Sequence, residues 1–465
     1  MKKIKNYLAP NVLMAAIIVA GLSNCTKHDQ VLDLTTPTPV LDVDTLYSVP
    51  GTAALQPIDG AAWDGGIEGA WSDATPLTVS AVVPDLGNGT FEGYVGNTTN
   101  ITMRSMYDAS YIYFLMEFNT PQENVMSAQW YFKPSTHTWA QEKTAEDLTN
   151  LNPDGSYRAP FSQDQFVIMF NISCQTFNSM SCYAACHVNS AYGYSVTPEG
   201  GVMYTNGPTE RTDVWRARML QVMNTNQSND CFIDDGSSVG LGESGALNKN
   251  EVHGDWQVLN GPSSSVPPSL QSPGVIVSSP GATNVYAADG GYSNKQSLKI
   301  TGKTTKMAVP IWVIPGGQST AGKYSAIMLS DTGSTAKRVV AVDSMGVLTL
   351  SNGVTIDPNT AASGTNYQQV FGGDGPNCIP GSIVGSYTGS RGDVITNAYF
   401  TGSGWRVLFK RALNTGDNVN DVNFSSLSDQ PFGVGAMFNH ADNQHAIVAG
   451  LTLHFGARGN GRIKK

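Results

Sequence analysis

The sequence predicts an all-β protein, a β-sandwich with long loop insertions and one or two short helices, and three observations carry that reading. Runs of β-branched and aromatic residues recur between clusters of Asp, Asn, Gly and Pro, the punctuation of strands and turns. Glycine reaches 49 residues and proline 24, while sustained amphipathic helical periods are scarce. Charged residues make up only 14% of the 465-residue chain, about half the usual globular share of roughly 25%. That composition excludes a coiled coil, a helical bundle and a charge-dominated disordered chain. A formal net charge of -10 further excludes binding of nucleic acid through its phosphates.

Residues 1–24 read as an export signal, with Lys2, Lys3 and Lys5 ahead of an apolar stretch over 13–22. That stretch is too short to span about 30 Å of hydrocarbon as a helix. It ends in Leu22-Ser23-Asn24-Cys25, which resembles the lipobox of a bacterial lipoprotein and makes Cys25 the expected lipidation site. Cleavage there removes the three lysines and takes the formal charge from -10 to -13. Residues 25–56 are rich in Thr, Pro and Asp and read as a flexible tether.

The body spans 57–456, with a long insertion at about 257–375 whose first part, 257–290, is Ser/Pro/Gly-rich loop. Strand patterns fall at 74–84, 111–118, 165–172, 306–315, 338–344, 404–413 and 445–456. The best helical pattern is 213–223, "DVWRARMLQVM", with Thr212 as N-cap and Asp213 supporting the helix start. Residues 457–465 form a short basic tail.

Export changes how the cysteines are read. Of Cys25, Cys174, Cys182, Cys186, Cys231 and Cys378, removal of Cys25 leaves five in an oxidising compartment. At least one of those five therefore lies outside an intrachain disulfide. Cys182-Tyr-Ala-Ala-Cys186-His187 is the sharpest local signal. It leaves three readings open: a short Cys182–Cys186 disulfide bracing a loop, covalent haem attachment with His187 on the iron, or a reduced, metal-binding pair. The usual haem spacing is C-x-x-C-H, and here three residues separate the cysteines. Acyl-transfer, zinc-protease, phosphate-loop and dinucleotide motifs are all missing, so the expectation is a protein that is not an enzyme.

Seven segments, in order, resemble one family, the ethylbenzene dehydrogenase-related or cytochrome c-552/DMSO reductase-like haem-binding domain. They are "IDGAAWDGGIEGAWSDATPLTV" (58–79), "ITMRSMYDASYIYFLMEFNTPQ" (101–122), "FSQDQFVIMFNI" (161–172), "SCYAACH" (181–187) and "VMYTNGPTERTDVWRAR" (202–218). The C-terminal pair are the hairpins starting "GSRGDVITNAYF" (from 389) and "QPFGVGAMFNHADNQHA" (430–446). The family helix often reads Asp-x-Trp-x-Trp-Lys, where this chain has Ala217 and Arg218 at the last two places.

The resemblance implies an immunoglobulin-like, CBM9-like sandwich that holds b-type haem between loops, with methionine and lysine as the axial pair; c-type attachment stays open. Thioether sulfur favours reduced iron, and a lysine must be neutral to coordinate, which needs a dry pocket. Candidate cofactor residues are His187, Met203, Met106, Cys182, Cys186, Trp215 and Lys410, with His187 and Met203 on the iron. Met103, Lys306, His440 and His445 are further ligand candidates. Trp215 reads either as a porphyrin neighbour or as a buried anchor.

Together these readings describe a lipid-anchored haem protein of the bacterial cell envelope, periplasmic or on the outer membrane. It would transfer electrons to a redox partner protein. The alternative is a carbohydrate-binding surface lipoprotein that has lost haem, with Trp63, Trp71, Trp130 and Trp139 as a sugar-stacking platform.

Overall fold

A computed structural model describes residues 44–51, 63, 65–67, 69–85, 93–125, 129–141, 163–175, 177, 205, 209–233, 252–254, 292–315, 326–359, 379–387, 389–438 and 445–457. In chain order the first strands are β1 (Thr45–Pro50), β2 (Leu77–Val82), β3 (Thr98–Tyr107), β4 (Tyr111–Asn119), β5 (Trp130–Lys133) and β6 (Thr138–Gln141). Next come β7 (Gln165–Asn171), β8 (Thr212–Arg218), β9 (Asn229–Ile233) and β10 (Val252–Gly254). Short strands β11 (Tyr292–Ser293), β12 (Gln296–Lys299), β13 (Lys306–Val309), β14 (Trp312–Val313) and β15 (Ile327–Met328) follow. They continue as β16 (Lys337–Val342), β17 (Leu348–Leu350), β18 (Thr355–Ile356) and β19 (Ser382–Val384). The chain ends in β20 (Ile395–Phe400), β21 (Gly404–Ala412), β22 (Gln430–Met437) and β23 (His445–Phe455). Among the described residues the α-helices are α1 (Ala70–Asp73) and α2 (Met219–Thr225). The fold is all-β and sandwich-like, as the turn-rich composition predicts.

The main sheet runs β10-β9-β8-β7-β22-β23-β1-β3-β4-β21-β20, with β2 pairing β3 and β23. It folds over itself, so that β4 and β21 face β7 and β8. Phe114 on β4 meets Phe170 on β7 and Trp215 on β8, with ring centroids 5.8 and 5.7 Å apart. Phe118 stacks on Phe166 at 5.6 Å, and Phe409 on β21 reaches Trp215 at 6.2 Å. The outer edges nearly close, because Thr396 on β20 donates its N–H to the Asn226 carbonyl and Gln227 bridges Ile395.

The apolar run "YIYFLMEF" is continuous because β4 is covered on both faces. Ile112, Phe114, Met116 and Phe118 enter the main core, while Tyr113 and Leu115 pack with Trp71, Ala74, Met106 and Leu408 on the other side. A strand buried on both sides loses the apolar–polar alternation of a half-exposed one.

A second core lies among β5, β6, β12–β14 and β16–β18, filled by Trp130, Phe132, Trp139, Val309, Val339, Leu348 and Leu350. Trp130 Nε1 donates to the Asn294 carbonyl at 2.8 Å, and Trp139 Nε1 to that of Gly346 at 2.7 Å. The hairpin β5–β6 thereby fastens the 292–359 region to residues from the first third of the chain. The strand expected over 306–315 is two strands, β13 paired with β12 and β14 paired with β16. Pro310 lies between them and has no N–H to continue a ladder.

The helix expected over 213–223 is half strand. Residues from Thr212 to Arg218 pair antiparallel with both β7 and β9, and α2 begins only at Met219. Thr212 is therefore no N-cap, and the residue before α2, Arg218, makes no side-chain cap hydrogen bond. Burying Asp213, Trp215 and Ala217 in the interior outweighs the helix propensity of Arg, Ala and Met.

Phe170 touches Phe114, Trp215, Phe424 and Phe432 and is fully buried. Phe170→Ala is expected to cost about 3–5 kcal/mol, read as a lower urea midpoint with an unchanged denaturant slope.

Candidate functional site

Arg411, near the end of β21, is a guanidinium buried in the interior between the layers. Its Nη1 lies 2.7 Å from Asp213 Oδ2 on β8, 3.4 Å from Asp230 Oδ2 on β9 and 3.8 Å from Asp421 Oδ1 in the loop after β21. Its Nη2 donates to the Val422 carbonyl at 2.6 Å, and its Cζ stands 4.6 Å from the centre of the Trp215 ring. Asp213 Oδ2 also accepts the Val422 N–H at 3.0 Å, and Asp421 accepts from the Thr415 hydroxyl. Burial pushes the Asp213 carboxyl up to about 7 against the pull of Arg411. Burial, opposed by a hydrogen bond with Asp230, likewise raises Asp393 to about 6. Burial alone would lower the Arg411 pKa, but the carboxylates of Asp213, Asp230, Asp421 and Asp393 outweigh it and hold the guanidinium charged.

Asp213 was expected at a helix start and instead anchors this knot. Arg411, Asp230 and Asp421 escaped sequence reasoning, although a period-2 reading of β21 carries the signal: Trp405, Val407 and Phe409 point inward, and Arg411 is next in that phase.

Trp215 is sealed by Phe114, Phe170, Phe409, Phe424 and Arg411, which is the anchoring alternative of its two readings. Met106 is fully buried on the opposite side of the sheet, with Trp71, Tyr113 and Leu408, so the structure does not bring it to Trp215. Met106, Tyr113 and Lys410 occupy one register row across β3, β4 and β21. Tyr113 stands between the other two, and Lys410 Nζ rests 4.3 Å above the centre of the Tyr111 ring. Tyr113 also donates its hydroxyl to Asp108 Oδ2 at 2.7 Å. A porphyrin does not fit between Met106 and Lys410 in this arrangement. Met103 is buried in the main core, and Lys306 is exposed on β13.

His445, the first residue of β23, is partly buried beside Gly435, where a Cβ would come within 2.6 Å of its Nε2. Burial and the Arg216 charge push its imidazole down to about 4, which keeps it in the neutral form that can ligate a metal. Cys25, Cys182, Cys186, His187, Met203, Cys378 and His440 lie outside the described residues. Cys182, Cys186, His187 and Met203 share the β7–β8 connection, whose ends Asn171 and Thr212 are register partners. His445 pairs with Met437, and Met437 with Gln165, so it sits at the other end of β7.

The sugar-stacking platform is not formed by the tryptophans expected to build it. Trp71, Trp130 and Trp139 are core residues at 2, 2 and 4% exposure, because each fills the space between packed strands. Trp63 turns its Nε1 to the Gly66 carbonyl and packs beside Trp71.

Replacing Arg411 by Met should cost about 3–5 kcal/mol, since it strands buried carboxylates without a counter-charge. Lys410→Met, losing a contact with a surface tyrosine, should cost under about 1 kcal/mol. Both are read by denaturant unfolding. For His445 the folded value lies below the ordinary 6.5, so the neutral ring's contribution is complete above pH 6.5. It is lost as pH falls towards 4, where the unfolded chain binds the extra proton. His445→Gln should flatten the fall in thermal midpoint over that window.

The family model described as ethylbenzene dehydrogenase matches residues 68–448. A carbohydrate binding module family 9 from Caldicellulosiruptor kristjanssonii, solved with cellotriose, is similar at 8% identity over 91% of this chain and 98% of that chain, with a TM-score of 0.26. No curated protein matches the chain significantly. The matching family is that of an enzyme, which corrects the expectation of a chain that is not one. With that match spanning most of its length, the chain belongs to the ethylbenzene dehydrogenase family and is related to a redox enzyme.

Proposed function

We propose that this protein is the haem-bearing, electron-transferring component of an exported redox enzyme, anchored to the bacterial cell envelope through a lipid on Cys25. Membership of a dehydrogenase family over 68–448 is the observation that carries this reading. The haem belongs with the β7–β8 connection, because Cys182, Cys186, His187 and Met203 all fall within it and each offers a soft or imidazole ligand. The b-type is favoured and c-type attachment remains the other form. When bound, haem supplies one-electron exchange with a redox partner. The chain's own part is to present ligands on a rigid base. Asn171 and Thr212, the feet of the connection, are held by paired strands, and β8 is tied into the interior through Asp213 and Trp215. A formal charge of -13 after signal removal suits docking to a basic partner at low salt.

Purified from cells with ample haem, the protein should show a Soret band. The pyridine haemochrome should be that of b-type haem, and His187→Ala or Met203→Ala should shift the band or remove it. A folded, colourless preparation that takes up no added hemin overturns the proposal. Separately, Cys25→Ser should move the chain from the membrane fraction to the soluble fraction.

A further inference from the structure

The knot around Arg411 sets several carboxyl groups around a single guanidinium. Asp213, Asp230, Asp421 and Asp393 all act on Arg411. Asp213, Asp230 and Asp421 are at most 2% exposed and share one guanidinium as their counter-charge. Carboxylates in excess of their counter-charge are costly away from water, and a second cation offsets that cost.

Two further observations show where such a cation would sit. Asp213 Oδ1 and Asp421 Oδ1 are buried and accept no hydrogen bond among the described residues, and Asn420 Oδ1, on the neighbouring residue, is in the same condition. The guanidinium engages Asp213 through Oδ2, which leaves Oδ1 as the oxygen still available. One carboxylate oxygen from each of Asp213, Asp230 and Asp421 lies within 4.8 Å of the others. Calcium binds oxygens at about 2.3–2.6 Å, so oxygens on opposite sides of one ion lie at most about 5 Å apart.

We propose that Asp213, Asp230 and Asp421 bind a calcium ion beside Arg411. The donors are all hard oxygens, which suit calcium and disfavour zinc or copper. The ion adds counter-charge beside the guanidinium and pins the loop after β21 to β8 and β9. This site is independent of haem and stands or falls without it.

The full chain, stripped with a chelator and titrated with calcium alone, should gain about 5 °C or more in thermal midpoint at millimolar calcium. Terbium alone should give saturable emission on indole excitation, because Trp215 lies against Arg411, and calcium should displace it. Asp421→Asn should lose both responses. If that variant does not fold, Trp215→Phe decides: it should keep the calcium shift and lose most of the terbium emission. An unmoved midpoint with no saturable emission overturns the site. So does a calcium shift undiminished in Asp421→Asn, or terbium emission undiminished in Trp215→Phe.

Discussion

A guanidinium buried between two layers of β-strands needs carboxylates from both sides of the interior, and Arg411 obtains them. Asp213 and Asp230 come from adjacent strands of one layer, while Arg411 and the loop carrying Asp421 belong to the other. Apolar packing fixes separation but not register, since aromatic side chains tolerate small slides. A charged fork whose Nη1 must meet Asp213 Oδ2 while Nη2 meets the Val422 carbonyl tolerates little. The aromatic wall of Trp215 and Phe424 then closes over the guanidinium and lowers the local dielectric.

The same interaction explains why β8 is a strand. A helix over 213–223 would place Asp213 and Trp215 on different faces, about 200° apart. Extended backbone sends both inward, one to the charge and the other to the aromatic cluster. The β7–β8 connection, with its cysteines, histidine and methionine, therefore starts and ends on strands fixed by the most constrained part of the core. The second core serves a different purpose. Its hairpin tryptophans donate to carbonyls far along the chain, so the 292–359 region is tied in place instead of hanging from two linkers.

The strand runs were readable because their cause is local. "YIYFLMEF" and "QFVIMFNI" are extended wherever they pack, and the structure places β4 and β7 on them. Glycine and proline marked the turns for the same reason. The tryptophans were readable only as aromatic mass: nothing in the sequence distinguishes Trp130 on a surface platform from Trp130 in a core. That distinction depends on Asn294 and Val309, more than 150 residues away, arriving beneath it.

The sequence by itself determined the class of the fold, the family and the inventory of candidate ligand side chains, since composition, motif order and residue chemistry do not depend on contacts between distant residues. Only the tertiary structure decided that Met106 and Lys410 flank a tyrosine, that Trp215 is sealed, and that Asp213 belongs with Arg411. Each of those outcomes is a pairing across strands far apart in the chain. Pairing is set by which faces can be buried together, and a one-dimensional pattern does not record which face meets which.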